Sequence, residues 1–251
     1  MRPVDYAELH FHLLPGVDDG PATMGESIEL ASAAVADGTR TIVATPHVHP
    51  LHITDPAEIG ERVQALAARL RDERVPVEVR AGGELADGMV ARLTQAQLEA
   101  IAQGPPHRRW LLLEAPFRGM DADYRAAADE VRARGFAVVV AHPERAMKTG
   151  PGAHAALEHE LAAGSAVQLT AWSFLGRYGR ETERHAFRIL STAPRAVIAS
   201  DAHGGDRLPS LAPAIEALRA AGVPEPERLG GELPRALLER GLALAPARMV
   251  A

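Results

Sequence analysis

The stretch YAELHFHLLPGVDDG, residues 6–20, decides the fold class of this chain. It begins as a β-strand, in which apolar residues alternate with Glu8, His10 and His12. Successive side chains of a strand point to opposite faces, so one face of this strand is predicted to carry a carboxylate and two imidazoles, and the other face Leu9 and Phe11. An Asp pair follows in the next loop. This pattern indicates side chains that converge on a pocket at the end of the strand.

Six further short apolar runs follow along the chain, separated by segments with helical character. Examples of the latter are MGESIELASAAVADG at 24–38 and DADYRAAADEVRARG at 121–135. Alternating strands and helices are typical of a parallel sheet, and seven such units predict an α/β fold, a distorted TIM-like (β/α)7 barrel. The seven predicted strands are residues 6–12, 39–46, 76–84, 110–116, 137–143, 165–171 and 195–201.

The composition is that of a globular protein, and we expect a single domain over residues 1–251. Apolar residues make up 47% of the chain and charged residues 24%, and no low-complexity linker divides it. A formal charge of −6 argues against a general nucleic-acid binder. We find no signal-peptide pattern and no long apolar run, which predicts a cytoplasmic protein without stable membrane insertion.

The chain contains no cysteine. This excludes disulfide bonds, a thiolate zinc site and a cysteine nucleophile.

Nearly every predicted strand ends in a residue that can bind a metal ion. In a parallel barrel these ends lie on one rim, where the active sites of this architecture are built. Imidazole and carboxylate ligands without sulfur suit Mn²⁺, Fe²⁺ or Zn²⁺. Nine ligands exceed the needs of one ion, which predicts a cluster of two or three divalent ions. The predicted ligands are His10, His12, Asp19, His47, Glu84, Glu114, His142, Asp201 and His203.

Two arginines lie beside these predicted ligands, Arg145 in AHPERA and Arg207 in DAHGGDR. A planar guanidinium can hold a phosphate through paired hydrogen bonds, so both arginines are candidates for substrate binding. The alternative is that each is a solvated residue of the rim or forms a salt bridge with Glu144 or Asp206.

Seven motifs together resemble the PHP (polymerase and histidinol phosphatase) superfamily. Within it, they are similar to the bacterial metal-dependent protein-tyrosine phosphatases of capsule and exopolysaccharide loci, the CpsB/CapC type. The resemblance extends from residue 8 to about residue 213. The motifs are HFHLLPGVDDGPATMGESIELA, TIVATPH, GGEL, LLLEAP, AHPER, TAWSFLGRYG and ASDAHG.

The resemblance implies the PHP fold and three metal positions in which one carboxylate bridges two ions. It also implies that Arg145 and Arg207 contact the phosphate group. The implied ligand sets are His10, His12, Glu114 and Asp201 for the first ion, Glu84, Glu114 and His142 for the second, and Asp19, His47 and His203 for the third.

The implied activity is metal-dependent hydrolysis of phosphotyrosine, with Mn²⁺ as the expected metal. The implied partner is a phosphotyrosyl protein, a bacterial tyrosine kinase that regulates capsule or exopolysaccharide synthesis. The alternatives are a small-molecule phosphatase, such as a histidinol-phosphate phosphatase, and a non-catalytic metal-binding barrel. The oligomeric state is left open.

Two positions depart from the pattern of the family. Glu8 stands where the family usually has Asp, and the loop VHPLHI after His47 is less basic and less polar than is typical. The loop carries His49 and His52, which either line the entrance of the site or are solvated. These departures concern substrate preference more than the chemistry of the reaction.

Overall fold

The core of the protein is a ring of parallel β-strands. The computed structural model describes residues 5–53, 55–146 and 151–244, without the side chains of 151–153. All pairings between the strands in these ranges are parallel. The strands are β1 (Tyr6–Phe11), β2 (Thr39–Ala44), β3 (His47–Val48), β4 (Glu78–Ala81), β5 (Glu84–Leu85), β6 (Trp110–Glu114), β7 (Ala137–Ala141), β8 (Ala166–Thr170) and β9 (Ala196–Ala199).

The strands form two sheets that join into one barrel. One sheet has the order β1-β2-β4 and the other β3-β5-β6-β7-β8-β9. Strand β2 continues into β3, and β4 into β5, so both sheets share these two barrel positions. On the opposite side the backbone N–H of Asp201 donates to the carbonyl of His10 over 3.1 Å, and that of His12 to Ala202 over 2.9 Å. The nine strands thus occupy seven positions, which confirms the predicted (β/α)7 barrel.

The helices lie between successive strands, as the sequence predicts. Helices α1 and α4 begin at capping residues, because Thr23 and Asp121 accept hydrogen bonds from backbone N–H groups of the first turn. The helices are α1 (Met24–Ala36), α2 (Ala57–Asp72), α3 (Gln95–Ile101), α4 (Ala122–Ala133), α5 (Pro143–Ala146), α6 (Pro151–Ala162), α7 (Ala171–Phe174), α8 (Arg180–Thr192), α9 (Leu211–Ala220), α10 (Glu227–Gly230) and α11 (Glu232–Arg240), with a 3₁₀ helix at Asp87–Arg92.

No helix among residues 5–53, 55–146 and 151–244 is both long enough and apolar enough to span a membrane.

Two apolar clusters separate the inside of the barrel from the helical layer. The inner cluster contains strand residues such as Val43, Leu112 and Val139, and it is closed at the start of the strands by residues of α11. There the indole N–H of buried Trp110 donates to the carbonyl of Leu237 over 3.0 Å. The alternate strand residues pack with the helices in the larger outer cluster. The polar site therefore occupies only the other end of the barrel.

Strand β1 departs from the strict alternation that the sequence predicts. Leu9 packs in the inner cluster, whereas Phe11 packs in the outer one. The pairing of β1 with β2 shifts register between Glu8 and Phe11, and this irregularity changes which face the following side chains point to. The prediction that Leu9 and Phe11 share a face is therefore wrong.

Candidate metal centre

The structure brings all nine predicted ligands together at the carboxyl ends of the strands. Six of them are buried, His47 and Glu114 are half-buried, and Asp19 is exposed. They form four overlapping groups whose potential ligand atoms lie within 4.8 Å of one another. The groups are His12, Asp19, His47 and His203; His10, His12 and Asp201; His10, Glu84 and His142; and His47, Glu84 and Glu114.

Glu84 lies at the centre of this arrangement. Its Oε1 is 2.7 Å from Nε2 of His142. Its Oε2 is 2.9 Å from Nδ1 of His47, 3.2 Å from Nε2 of His10 and 3.3 Å from Nε2 of His12. One buried carboxylate therefore faces four imidazoles.

Two aspartates extend the cluster on either side of the histidines. Oδ1 of Asp201 is 3.4 Å from Nε2 of His10 and 3.6 Å from Nε2 of His12. Oδ1 of Asp19 lies 3.2 Å from Nε2 of His203 and 3.4 Å from Nε2 of His47. The exposed carboxylate of Asp19 thus marks the side of the cluster that is open to solvent.

Glu114 lies nearer to His47 and Glu84 than to the other groups. The ligand set implied by the resemblance also includes it with His10, His12 and Asp201, but the structure groups those three residues without Glu114. Burial, and after it the negative charge of Glu84, raise the pKa of Glu114 to about 7 against the opposing charges of His47, His10 and Arg145.

The charges of the cluster are balanced between carboxylates and imidazoles. Burial alone would lower the pKa of His10, but the carboxylates of Glu84 and Asp201 raise it to about 9. Burial also opposes the charged form of His47, whose pKa the neighbouring Asp19 and Glu84 raise to about 11. These shifts show that the buried carboxylates require positive charge beside them.

The donor atoms fit a divalent cation. Oε2 of Glu84 and Nε2 of His203 are buried without a hydrogen bond of acceptable geometry in the described part of the chain, although charged neighbours lie within 4 Å. Imidazole nitrogen and carboxylate oxygen together suit Mn²⁺, Fe²⁺ or Zn²⁺. A cation among these atoms would satisfy both kinds of donor at once.

Two residues that the sequence reasoning did not assign hold the histidines in place. Oδ2 of Asp18 lies 2.7 Å from Nδ1 of His12 and also accepts the backbone N–H of His47 over 3.0 Å. Oε1 of Gln168 lies 2.8 Å from Nδ1 of His10. Partners of this kind fix the orientation of metal-binding imidazoles. Asp18 was recognisable as the first member of the Asp pair, whereas Gln168 lies in the one strand without a predicted ligand.

Two of the site residues have a backbone conformation that is unusual for them. The φ angle of His142 is 36° and that of Asp201 is 53°, both in the left-handed region that favours glycine. His142 follows directly after the end of β7, and Asp201 lies two residues after the end of β9. Strain of this kind is concentrated at functional sites, where the surrounding structure holds it.

Both candidate arginines converge on one oxygen of Asp201. Nη1 of Arg145 donates to Oδ2 of Asp201 over 2.6 Å, and Nη2 of Arg207 donates to the same oxygen over 3.1 Å. Arg207 also donates to Asp19 over 3.3 Å. The guanidinium groups therefore lie next to the ligand cluster rather than in solvent.

The alternative salt bridges of these arginines are not found among the described residues. The carboxylate of Glu144 is buried and accepts hydrogen bonds from the backbone of Thr170 and the hydroxyl of Ser173, each within 2.8 Å. No ion pair joins Arg145 to Glu144 or Arg207 to Asp206 in the part of the chain that the structure covers.

The loop after β3 places two further histidines beside the cluster. The ring of His52 stacks on that of His47 with centroids 5.3 Å apart, and His49 lies 5.9 Å from His52. Neither His49 nor His52 belongs to the four ligand groups, and His52 is exposed. The loop thus borders the site without contributing to its ligand groups.

Comparison with known proteins relates the chain to phosphatases of capsule synthesis. Residues 6–229 match the family described as Capsular polysaccharide synthesis, CpsB/CapC. The tyrosine-protein phosphatase YwqE of Bacillus subtilis is 32% identical over 201 residues, which cover 78% of this chain and 76% of that protein.

Solved structures give the same relationship at the level of the fold. The crystal structures of YwqE from Bacillus subtilis and CpsB from Streptococcus pneumoniae are described as unique metal-dependent tyrosine phosphatases. A chain from that work matches with a TM-score of 0.80 and 28% identity over 95% of this chain and 96% of its own length. The phosphotriesterase homology protein of Escherichia coli matches with a TM-score of 0.62 over 95% of this chain and 99% of that chain, but at 14% identity it is similar in fold alone.

Proposed function

This chain belongs to the CpsB/CapC family of capsular polysaccharide synthesis, and from that premise we propose that it is a metal-dependent protein-tyrosine phosphatase. The observation that carries the proposal is the position of the two arginines beside four overlapping groups of potential metal ligands. Ligand groups alone would suit many metalloenzymes. Two guanidinium groups at the edge of the cluster add a binding site for a dianion such as a phosphate monoester.

We assign the nine residues of the four groups as the metal ligands and propose a cluster of two or three divalent ions, with Mn²⁺ as the native metal. Bound ions would supply charge for the phosphoryl oxygens and would activate water at neutral pH. Glu84, which faces four imidazoles, would hold more than one ion. Asp18 and Gln168 would keep His12 and His10 in the orientation that binding requires.

The two arginines act on the phosphoryl group. In the structure their donors meet at Oδ2 of Asp201, so a phosphate beside that carboxylate would meet preorganised N–H groups from two directions. Charge spreads over the phosphoryl oxygens during transfer, and fixed donors stabilise it without further reorganisation. Arg145 and Arg207 would therefore contribute to the transition state as well as to binding.

The substrate we propose is phosphotyrosine of a bacterial tyrosine kinase that regulates capsule or exopolysaccharide synthesis, acted on in the cytoplasm. Support for this comes from the family and from the tyrosine-protein phosphatase YwqE, which is similar over most of the chain. We further propose that residues 1–251 form one domain.

The test uses purified protein, stripped of metal by a chelator and then reloaded with Mn²⁺. A phosphotyrosyl peptide, a phosphoseryl peptide and histidinol phosphate are compared as substrates, and metal content is measured by elemental analysis. We expect turnover of the phosphotyrosyl peptide that is lost on chelation and restored by Mn²⁺. A preference for histidinol phosphate would replace the protein substrate with a small molecule, and full turnover without metal would overturn the mechanism.

Matched variants separate the metal centre from general effects of substitution. His10→Ala and Asp201→Ala each remove a predicted ligand at the end of a strand and should lower turnover and metal content together. His159→Ala replaces an exposed histidine of α6 and should change neither. Circular dichroism checks that each variant is folded.

A further inference from the structure

The guanidinium of Arg145 contacts two aromatic rings. Its Cζ is 4.7 Å from the centroid of Phe117 and 4.6 Å from the centroid of Tyr178. Both distances are within the range of cation–π attraction. The two rings thus restrict the side chain of Arg145, while its Nη1 donates to Asp201.

Phe117 has a second contact within the site and a large exposed surface. Its ring stacks on the imidazole of His142 with centroids 6.0 Å apart and an interplanar angle of 16°. Nevertheless, 54% of Phe117 is accessible to solvent. Part of the ring therefore packs against His142 and Arg145. The remaining surface of the ring is exposed to solvent at the mouth of the site.

The other apolar residues that are exposed near the site have a similar placement. Leu51 lies on the loop after β3 and Leu208 on the loop that follows β9 and contains Arg207. Strands β3 and β6 contain the predicted ligands His47 and Glu114, and β9 is followed by Asp201. Phe117 lies in the loop after β6. The fourth exposed large apolar residue in the described ranges, Leu244, lies in the segment after α11. In this segment the backbone N–H of Leu242 donates to the carbonyl of Arg108, just before the start of β6. Apolar surface is therefore concentrated around the mouth of the site.

We propose that Phe117 is a specificity-determining residue that contacts the aryl ring of the substrate, and that Tyr178 is a positioning residue that holds Arg145 toward the phosphate. This inference rests on the proposed function and assigns residues to its preference for aryl phosphates. A phosphate without an aryl group would gain nothing from the exposed part of Phe117. If the phosphate of an aryl phosphate lies beside Arg145, its aryl ring would be close enough to pack against Phe117.

The two roles predict different effects on two non-hydrolysable probes. Aromatic pairs contribute to affinity beyond the area that they bury, so replacing Phe117 by leucine should weaken an aryl ligand by about tenfold. The same change should weaken a small alkyl ligand by less than about threefold, through the lost contacts with Arg145 and His142. Loss of the Tyr178 ring should weaken both ligands to the same degree, since its proposed role is to hold Arg145.

Calorimetry on the metal-loaded protein tests this with phenylphosphonate and methylphosphonate. We expect Phe117→Leu to lose affinity selectively for phenylphosphonate, and Tyr178→Leu to lose affinity for both. Tyr178→Phe retains the ring and should restore most of the loss. Leu244→Ala removes an equally apolar exposed side chain away from the site and serves as the matched control.

Each outcome of this experiment has a defined consequence. Equal losses for the two probes in Phe117→Leu would overturn the aryl contact, and unchanged affinities in Tyr178→Leu would overturn the positioning role. A further measurement uses the unmodified protein, so it does not depend on the folding of any variant. We expect phenylphosphonate to bind more tightly than cyclohexylphosphonate. Equal affinities of these two ligands would overturn aromatic recognition. Failure of the proposed function is distinct, because it would appear as absent hydrolysis of the phosphotyrosyl peptide by the metal-loaded protein.

Discussion

The two carboxylate oxygens of Asp201 face different groups. Oδ1 points toward His10 and His12, whereas Oδ2 accepts hydrogen bonds from both Arg145 and Arg207. One residue therefore connects the proposed metal ligands with the proposed phosphate contacts. Because its backbone is in the left-handed region, this double role depends on the geometry at the end of β9 as well as on the side chain.

At this scale we predict that Arg145→Ala and Arg207→Ala each lower kcat on an aryl phosphate by about 10²–10³, the usual cost of removing one preorganised donor. Lysine at either position keeps the charge but not the planar fork, and should recover only part of the loss. Steady-state kinetics with metal content checked in each variant provides the measurement.

The control for this prediction is Arg62→Ala. Arg62 is exposed, and among the described residues it forms an ion pair only with Glu58, which lies in the same helix, α2. Exposed pairs contribute about 0–1 kcal/mol, so its kinetics should equal those of the unmodified protein. Kinetics close to this control in both Arg145→Ala and Arg207→Ala would rule out the phosphate contact.

Individual site residues could be predicted where the strand pattern fixes their position. The nine predicted ligands follow strand ends, and a parallel barrel brings such ends together. The contacts of Phe117 and Tyr178 with Arg145 could not be predicted, since they depend on which loops meet above the rim. Glu8 is predicted to share a face with His10 and His12, but the register shift in β1 lies between Glu8 and Phe11. The carboxylate of Glu8 accepts the backbone N–H of Ser200 over 2.8 Å and belongs to no ligand group.

At the scale of elements, a glycine pair divides one barrel position into two strands. Gly82 and Gly83 lie between β4 and β5, and the N–H of Gly82 donates to the carbonyl of Ala44 over 2.9 Å. A Cβ on Gly82 would lie 2.5 Å from Cγ1 of Val43, which is too close for any other residue without displacement. This close packing sets the position at which Glu84 enters the site.

We predict that Gly82→Ala lowers the free energy of unfolding by about 1–3 kcal/mol, the usual effect of adding volume to a packed position. Gly60→Ala offers a matched comparison, since Gly60 is the fourth residue of α2 and a Cβ there meets nothing within 4 Å. Alanine in a helix interior is favoured over glycine, so this variant should gain about 0.5–1 kcal/mol. Urea unfolding followed by circular dichroism measures both. Equal stabilities of the two variants would contradict the packing argument.

The elements themselves could largely be predicted from sequence. Each of the seven predicted strands contains an observed strand, because short apolar runs between amphipathic segments specify a parallel barrel. The interruptions that separate β2 from β3 and β4 from β5 could not be predicted. They arise from contacts between neighbouring strands, such as the one between Gly82 and Val43, for which the local sequence carries no signal beyond the glycine pair.

At the scale of the whole molecule, the barrel has an apolar end and a charged end. The apolar end is closed by α11, and the charged end holds the buried carboxylates and imidazoles. We predict that binding of divalent ions at this end stabilises the fold, because the ions bind the native site and not the unfolded chain. At a concentration 100 times the dissociation constant the gain is about 2.7 kcal/mol. For a chain of this size this corresponds to roughly 5–11 °C in Tm.

Differential scanning calorimetry of chelated and Mn²⁺-loaded protein measures this shift. A variant that combines His10→Ala with Asp201→Ala should show a much smaller dependence on Mn²⁺. If the Tm of the unmodified protein does not rise with Mn²⁺ concentration, the ions do not bind at this end of the barrel.

The closure between β1 and β9 has a consequence for the synthesis of the protein. The two strands come from opposite parts of the chain, and the contact between Glu8 and Ser200 joins residues 192 positions apart. His10 and His12 therefore lack Asp201 and His203 until the ribosome has passed β9 (Ala196–Ala199). A translation product that ends before β9 carries seven of the nine proposed ligands and lacks Asp201 and His203. Assembly of the metal centre thus reports that the ring of strands has closed from β1 to β9.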